Sequence, residues 1–387
     1  MFVSHANFPG TSGDSSHHLE MIKKFRQKGL DVFLVCPWHV QGQIFDEKMR
    51  KLGIKVVRIP LIPPSLRDFA NKLFVLNLAR LFSYYFIEFF VVYVFLAKEG
   101  IRDRVIVRCV LTTLPLALVL RILRIDGMAE IAELPMAPYL TNLGNGMKGV
   151  LSKLELTVLR SYKRFRVMAY EQLEYLVKLG IPKEKIIVFS SGVNLGSMPA
   201  AVNLDSLPPA TFGFFGILEP YQGLDILLRA FSIVSTAYPS SKLYVIGNGT
   251  LKESLKQLAE ELRLSNNIVF VDPVAREILW REYFPKFRIV IIPRPKSVSS
   301  TLVPMKLIES LSAGKVVITT PIQSVENVIK SCAIIVPYSD INSLAAAMLK
   351  IIDNEDLQQE LSQKSIEAAR FFDIGKVADA ILHSFAK

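Results

Sequence analysis

Two charged residues one helical turn apart, Lys306 and Glu309, are the residues of this sequence best suited to do chemistry. They follow Pro304, and because proline is favoured in the first turn of a helix, we predict a helix that starts near Val303. The free N–H groups and positive end of such a helix attract a diphosphate, and Lys306 adds a full charge. Glu309 lies on the same face and can accept hydrogen bonds from sugar hydroxyls. The alternative is an ordinary helix with two surface charges.

The elements that must position these residues alternate between strand and helix along the chain. Gly314 predicts a left-handed helix stop directly before a buried strand. Helices such as His17–Lys28 and Leu114–Leu123 separate apolar, β-branched runs. These runs predict strands at Phe2–Ser4, Asp31–Cys36, Lys55–Ile59, Val105–Val107, Met128–Ile131, Thr211–Phe215, Lys242–Ile246, Asn267–Phe270, Ile289–Ile292, Val316–Thr319 and Ala333–Val336. The alternation predicts an α/β protein with two doubly wound parallel sheets.

The length of 387 residues exceeds that of one ordinary core and predicts two domains. We place them at residues 1–196 and 197–387, with a C-terminal helix at about 368–387 that packs back on the first domain. Ser197–Pro209 is rich in proline and small residues and is predicted to link them. The composition, 51% hydrophobic and 21% charged, excludes a disordered chain.

The net charge of +11 is confined to the first half of the chain. Residues 1–200 hold 27 Lys and Arg against 16 Asp and Glu, whereas residues 201–387 hold 19 of each. Such asymmetry predicts an anionic partner for the first half. The basic residues form no recognisable nucleic-acid motif, so an anionic membrane surface is favoured over nucleic acid.

The three scattered cysteines, Cys36, Cys109 and Cys332, form no C-x-x-C pair and favour a reduced compartment. No cleavable signal peptide is expected, because Met1 is followed directly by a short strand. We therefore predict a cytoplasmic protein that is peripheral on the inner face of the cell membrane.

The segment 73–97 is apolar enough to suggest a membrane, but four polar residues interrupt it. Asn77, Arg80, Tyr84 and Glu88 are spaced three, four and four apart and share one stripe of a helix. A core helix of the first domain is the favoured interpretation. A helix in the bilayer interface and a true span are the alternatives.

Several motifs in order carry a resemblance to a known family. The segments Tyr170–Asn194, Phe212–Phe231, Leu243–Val274 and 302–320 resemble those of the retaining, GT-B fold glycosyltransferases of family 4. The P-R and P-x-K-x-x-E motifs resemble those of one subgroup. The resemblance covers nearly the whole chain and is most specific in its second half.

This resemblance implies two Rossmann-like domains with a cleft between them, a donor site on the C-terminal domain and an acceptor site on the N-terminal one. It implies transfer of a sugar from a nucleoside-diphosphate sugar, such as a UDP- or GDP-sugar, to a hydroxyl of a glycan or lipid-linked acceptor. The departing phosphate oxygen would take the acceptor's proton, and the anomeric configuration would be retained. No cofactor is implied, and no D-x-D motif occurs, so no metal is expected.

The sequence departs from the family pattern at three positions. Glu309 matches the second glutamate of the E-x7-E element, but Thr301 stands where the first is expected. Ile217 and Gln222 stand at the arginine and lysine of G-R-L-x-x-x-K-G. The missing phosphate charges are expected to come from Arg294, Lys296 and Lys306, with a surface lysine as the alternative for Lys296.

The resemblance implies roles for a set of site residues. The catalytic set is Glu309, Lys306, His17 and Glu133, and the acceptor side adds Ser16, Arg108 and Glu130. Donor binding is assigned to Gly13, Gly216, Gln222, Gly247, Asn248, Gly249, Val271, Arg294, Lys296, Val303, Lys306 and Glu309. Helix capping by Ser16, a plain ion pair of Arg108 with a glutamate, and a surface position for one of the adjacent histidines are the alternatives.

Two other functions remain open from the residues. The uncharged Ile217 and Gln222 are compatible with a non-catalytic, membrane-associated GT-B binding or scaffold subunit. A GT-B phosphorylase or sugar-nucleotide epimerase is the second enzymatic alternative.

Overall fold

A computed structural model of the chain describes residues 1–4, 8, 13–38, 42–59, 90–101, 104–108, 113–131, 145–198, 210–296 and 303–386. The backbone divides into two compact units. Unit 1 comprises Met1–Ser190 together with Ile374–Lys387, and unit 2 comprises Ser191–Asp373. The segment predicted to link two domains lies mostly outside the described residues, and so does Glu133.

Unit 1 is built on a seven-stranded parallel sheet in the order β3-β2-β1-β4-β5-β6-β7. Its strands are β1 Phe2–Val3, β2 Val32–Pro37, β3 Ile54–Ile59, β4 Val105–Arg108, β5 Gly127–Ile131, β6 Arg164–Val167 and β7 Ile186–Val188. Its helices are α1 Gly13–Gln27, α2 Gly42–Lys51, α3 Leu114–Ile122, α4 Asn145–Arg160 and α5 Tyr170–Lys178, together with the C-terminal helix Ile374–Ala386, which packs against α1.

Unit 2 is built on a six-stranded parallel sheet in the order β10-β9-β8-β11-β12-β13. Its strands are β8 Thr211–Phe215, β9 Lys242–Ile246, β10 Ile268–Val271, β11 Ile289–Ile292, β12 Val316–Thr319 and β13 Ala333–Ile335. Its helices are α6 Leu224–Ala237, α7 Lys252–Glu261, α8 Arg276–Ile278, α9 Met305–Ser312, α10 Glu326–Ile329, α11 Ile341–Ile352 and α12 Glu355–Ala369. The C-terminal helix of unit 1 is α13.

Each sheet reverses its strand order once, between β1 and β4 in unit 1 and between β8 and β11 in unit 2. In open parallel sheets, ligands bind beyond the carboxyl ends of the strands at such a reversal. A ligand site in unit 2 is therefore expected beside the residues that follow β8 and β11.

Apolar side chains cover both faces of each sheet, as parallel strands require. In unit 1 the helices α3, α4 and α5 cover one face and α1, α2 and α13 cover the other. In unit 2 the helices α6, α7 and α11 pack on one face and α9 and α10 on the other. The two doubly wound sheets confirm the predicted fold class.

The strands Thr211–Phe215, Lys242–Ile246, Ile289–Ile292 and Val316–Thr319 begin and end where the apolar runs predict. Strands β6 and β7 were not predicted. Strand β6 has the sequence Arg-Phe-Arg-Val, whose alternating charges suggest an exposed segment, yet Arg166 is fully buried. An ion pair in the interior makes this charged strand possible.

The helix that carries Lys306 and Glu309 starts at Met305, later than predicted. Pro304 has an extended backbone (φ −71°, ψ 137°) and lies just before the helix instead of in its first turn. Gly314 adopts the predicted left-handed conformation, with φ 65°.

Only the end of the apolar segment 73–97 lies within the described residues. Residues 90–99 are helical, with Val92 and Leu96 in the core of unit 1 and Phe90, Tyr93 and Val94 exposed. Within the described ranges, no helix has the length and apolar character needed to cross a membrane.

Candidate functional site

Two glycines directly follow neighbouring strands at the carboxyl edge of the unit 2 sheet. Gly216 follows β8 and Gly247 follows β9, with φ of 128° and 148°, where other residues are strained. A Cβ atom on Gly247 would lie 1.8 Å from the carbonyl oxygen of Gly216. The N–H of Gly216 donates to Ile246 and that of Gly247 to Val271, both at 2.9 Å. Glycine is therefore required for the two loops to approach each other this closely.

The ammonium of Lys306 is held at this edge. Its Nζ donates to Gln222 Oε1 at 2.8 Å and lies 3.6 Å from the centre of the Phe214 ring. A Cβ atom on Gly216 would be only 3.3 Å from Nζ. Lys306 is 7% exposed, and burial, followed by the nearby charge of Arg294, holds its pKa well below the usual value, while Glu309 opposes the shift.

Glu309 lies one turn further along α9 and is 2% exposed. Arg276 Nε is 2.6 Å from Glu309 Oε1, although the N–H does not point along that line, so Oε1 accepts no hydrogen bond from a described residue. Burial raises the pKa of the Glu309 carboxyl, and the charges of Arg276 and Lys306 act against this rise. The carboxylate is therefore held by an ion pair and retains hydrogen-bonding capacity.

Arg294 and Lys296 occupy the loop that follows β11. Arg294 is half-buried, and burial lowers the pKa of its guanidinium, while its backbone oxygen accepts a bond from Thr320 Oγ1 at 2.8 Å. Lys296 is exposed, which agrees with the alternative interpretation of this residue as a surface lysine. Its role in donor binding stays a prediction.

Three basic side chains lie near Glu309 or near one another at this edge. Lys306 is within electrostatic range of Arg294 and of Glu309, and Arg276 pairs with Glu309. Buried charges are costly unless they are paired. The basic side chains at this edge therefore favour an anionic ligand.

The remaining residues predicted for donor binding build the surrounding loops. Leu218 N–H donates to Asn248 O at 2.9 Å, and a Cβ atom on Gly249 would lie 2.3 Å from Leu218 O. Val303 is buried in the unit 2 core just before α9. Ile217, at the position of the family's arginine, is 48% exposed and contributes no charge.

Two of the residues predicted for unit 1, Arg108 and Glu130, form an ion pair at the end of neighbouring strands β4 and β5. This carboxylate is fully buried and pairs with Arg166 Nη1, with His18 Nε2 at 2.5 Å and with Arg108 Nη1 at 3.3 Å. Ser4 Oγ lies 2.8 Å from His18 Nδ1. Burial alone would raise the pKa of Glu130, but His18, Arg166 and Arg108 outweigh it and hold the pKa well below its usual value.

The prediction that one of the two adjacent histidines lies on the surface is wrong. Both His17 and His18 are buried, because His18 is a partner of Glu130 and His17 packs beside it with ring centres 5.6 Å apart. Ser16 is half-buried and Gly13 is the first residue of α1. The acceptor-side roles of these residues, of Arg108 and of Glu130 stay predictions.

Three partners of the site residues were missed by the sequence reading: Arg276, His18 and Arg166. Arg166 lies on the strand that was not predicted, and Arg276 belongs to no motif, so neither gave a signal. One of the two adjacent histidines was expected on the surface, without a choice between His17 and His18. Within the described residues, no group of three or more His, Cys, Asp or Glu side chains is arranged to hold a metal ion.

Comparisons with known proteins identify similar sequences and similar folds. Residues 202–369 match the family described as glycosyl transferases group 1. A glycosyltransferase of Methanocaldococcus jannaschii is 28% identical over 197 residues, which cover 42% of this chain and 46% of the relative. A phosphatidyl-myo-inositol mannosyltransferase of Mycobacterium leprae is 25% identical over 203 residues, covering 50% of this chain and 52% of the relative.

Among solved structures, HepE of Anabaena in complex with UDP and glucose superposes with a TM-score of 0.71 at 12% identity, covering 100% of this chain and 98% of that one. Such a likeness establishes the fold. The chain spans about half the length of the curated relatives it matches. The chain therefore has the GT-B fold, and its residues 202–369 are similar to glycosyl transferases group 1.

Proposed function

We propose that the protein is a retaining glycosyltransferase that uses a nucleoside-diphosphate sugar. The observation that carries this proposal is the group of basic side chains at the strand reversal of unit 2, where the buried Lys306 lies within electrostatic range of Arg294 and Arg276 pairs with Glu309. A nucleoside diphosphate carries negative charge that such a group can bind. The match of residues 202–369 to glycosyl transferases group 1 supports the same ligand class.

Each part of the donor has a candidate partner in unit 2. The diphosphate is bound by Lys306 and by Arg294, and by the N–H groups at the start of α9. The Glu309 carboxylate accepts hydrogen bonds from the ribose hydroxyls. Because a Cβ atom on Gly216 would lie 3.3 Å from Lys306 Nζ, glycine at this position keeps a side chain away from the ammonium. UDP and GDP are the nucleotides to test first, because related GT-B proteins include one solved with UDP.

In the reaction, the bond between the anomeric carbon and the diphosphate oxygen breaks, and the acceptor oxygen bonds to that carbon on the same face. The acceptor's proton passes to the departing phosphate oxygen, so no strong protein base is needed. Lys306 and Arg294 stabilise the charge that develops on the diphosphate in the transition state. This mechanism retains the anomeric configuration.

The acceptor is a hydroxyl of a glycan or a lipid-linked sugar, and unit 1 binds it through residues near Ser16, His17 and Arg108. The basic excess of residues 1–200 and the exposed Phe90, Tyr93 and Val94 favour a peripheral contact of unit 1 with anionic lipid. Flotation with vesicles of anionic or neutral phospholipid tests that contact. Equal recovery with both vesicle types, at low and high salt, would contradict it.

A second candidate function is a binding subunit without catalysis. The observation in its favour is Ile217, which is exposed and uncharged at the position of the family's arginine. The test measures binding of UDP- and GDP-sugars by calorimetry and release of the nucleoside diphosphate with and without lipid-linked acceptors. Release that depends on the acceptor supports the transferase, binding without release supports the subunit, and absence of binding contradicts both.

A further inference from the structure

Arg276 is the one basic side chain in direct contact with Glu309 among the described residues. It lies on α8, just beyond the carboxyl end of β10, and reaches the first turns of α9. Its Nε is 2.6 Å from Glu309 Oε1, and its guanidinium lies 5.9 Å from the centre of the Trp280 ring. The Arg276 side chain is 23% exposed, whereas the Glu309 side chain is 3% exposed. The arginine is therefore the more exposed member of this ion pair.

This placement matters because a carboxyl group can bind a ribose diol in two protonation states with different strength. An ionised carboxylate accepts from both hydroxyls, and hydrogen bonds to ions are about twice as strong as neutral ones. A buried carboxyl without a cation nearby tends to take up a proton and lose part of this capacity. A cation in contact with Glu309 prevents that loss.

We propose that Arg276 is a positioning residue that keeps Glu309 ionised and oriented to accept hydrogen bonds from the ribose hydroxyls of the donor nucleotide. This inference rests on the proposed function, because it assumes that Glu309 faces the ribose. It deepens that function by naming the residue that makes the site selective for a ribonucleotide over its 2′-deoxy form. Nothing in the motifs of the sequence assigns Arg276 a role.

Among the residues that the structure describes, no other group around Glu309 forms a counter-ion of this kind. Lys306, on the same helix, acts on Glu309 more weakly than Arg276 does, and its ammonium donates to Gln222. Helix α12, which packs against α9, turns Ser362 and Ser365 inward, and their hydroxyls donate to Gly314 O and Cys332 O. Strand β12 contributes apolar residues at this contact.

The experiment measures the affinity of UDP and GDP, and of their 2′-deoxy analogues, by titration calorimetry between pH 5 and 8. The variants are Arg276→Ala and Arg276→Lys, and Arg281→Ala is the matched control. Arg281 lies on the same irregular segment, is 72% exposed and pairs with Glu282 at 2.7 Å. Far-ultraviolet circular dichroism checks that each variant is folded.

In the wild type, affinity is expected to fall at low pH as Glu309 takes up a proton. Removal of Arg276 should move the midpoint of this fall upward by about one to three pH units, because a nearby opposite charge lowers a carboxyl pKa by about that amount. The preference for ribose over 2′-deoxyribose should fall about tenfold or more at pH 6, since one hydrogen bond to an ion is weakened. Arg276→Lys should recover most of both effects, and Arg281→Ala should show neither.

An unchanged midpoint and an unchanged ribose preference in Arg276→Ala, with tight wild-type binding, would overturn this inference and leave the proposed function standing. Uniformly weaker binding at every pH, without loss of ribose preference, would show a merely structural role and also overturn it. Failure of the wild type to bind any of the nucleotides would overturn the proposed function itself.

Discussion

The resemblance implies a lysine on the loop after β8, where this sequence has Gln222, and the ammonium of Lys306 on α9 lies against that glutamine. Lys306 Nζ and Gln222 Oε1 are 2.8 Å apart, although the residues are 84 positions apart in sequence. If the position of the charge matters and not the residue that supplies it, exchanging the two side chains should preserve function. The variants are Lys306→Gln, Gln222→Lys and the double exchange.

The magnitude follows from the burial of the ammonium. Lys306 is 7% exposed, so water screens little of its interaction with a bound diphosphate. A hydrogen bond to a charged group contributes about 1.5–3 kcal/mol, which corresponds to a change of about 10- to 150-fold in affinity. Lys306→Gln should weaken UDP or GDP binding by that factor, and the double exchange should recover most of the loss.

Titration calorimetry with each nucleotide measures the affinities, and Lys256→Gln is the control for net charge. Lys256 lies on α7 in the same unit and pairs with Glu253 at 3.0 Å on the surface. Burial lowers the pKa of Lys306, so its charge costs folding free energy, and Lys306→Gln should not lower the melting temperature. Wild-type affinity in Lys306→Gln, or a double exchange as weak as the single variant, would refute the reasoning.

Three further predictions concern stability, each read from the urea midpoint of unfolding. Gly247→Ala should destabilise unit 2 by about 1–3 kcal/mol, because its Cβ would lie 1.8 Å from Gly216 O; a midpoint equal to that of the wild type would contradict this. Glu130→Gln leaves Arg166 buried without its counter-ion and should cost about 3–5 kcal/mol at neutral pH. The pKa of Glu130 is well below its usual value in the folded protein. The stabilisation by this carboxylate is therefore fully present above the pKa that Glu130 has in the unfolded chain, and it is lost as the pH falls through the pKa that Glu130 has in the folded protein. Burial lowers the pKa of Lys315 from 10.5 to about 7. Because the unfolded chain then binds more protons than the folded one, the free energy of unfolding of the wild type should rise from pH 7 to 9 by up to about 1.4 kcal/mol per pH unit. Lys315→Met should abolish this rise.

The strands and their residue ranges in unit 2 were predictable because their side chains are β-branched and apolar on both faces. Strand β6 was not, because Arg166 looks like a surface residue until its partner Glu130 is known. The start of α9 was placed too early, since proline fits both a first helical turn and the extended residue before it. The conformational preference of proline is compatible with both backbone conformations, and the packing of the helix determines which one is adopted.

The candidate site also contains residues that could be predicted from the sequence and residues that could not. Lys306 and Glu309 could be selected from residue type and spacing, because they satisfy the local requirements of one helix face. Gly216 and Gly247 were assigned from the family resemblance. The partners of Lys306 and Glu309 could not be selected, since no periodicity links Gln222 to Lys306 or Arg276 to Glu309. The sequence also marked His17, but the structure buries its neighbour His18 with Glu130, 112 positions away.

By itself, the sequence determined two parallel α/β sheets, glycines at the strand ends of unit 2, and a helix with a lysine and a glutamate one turn apart. These depend on side-chain periodicity and backbone freedom, which are local properties of the chain. Only the tertiary structure decided which charges are paired, because parallel strands joined by crossover helices bring distant loops to one edge of a sheet. That edge places the ammonium of Lys306 against Gln222 and the carboxylate of Glu309 against Arg276.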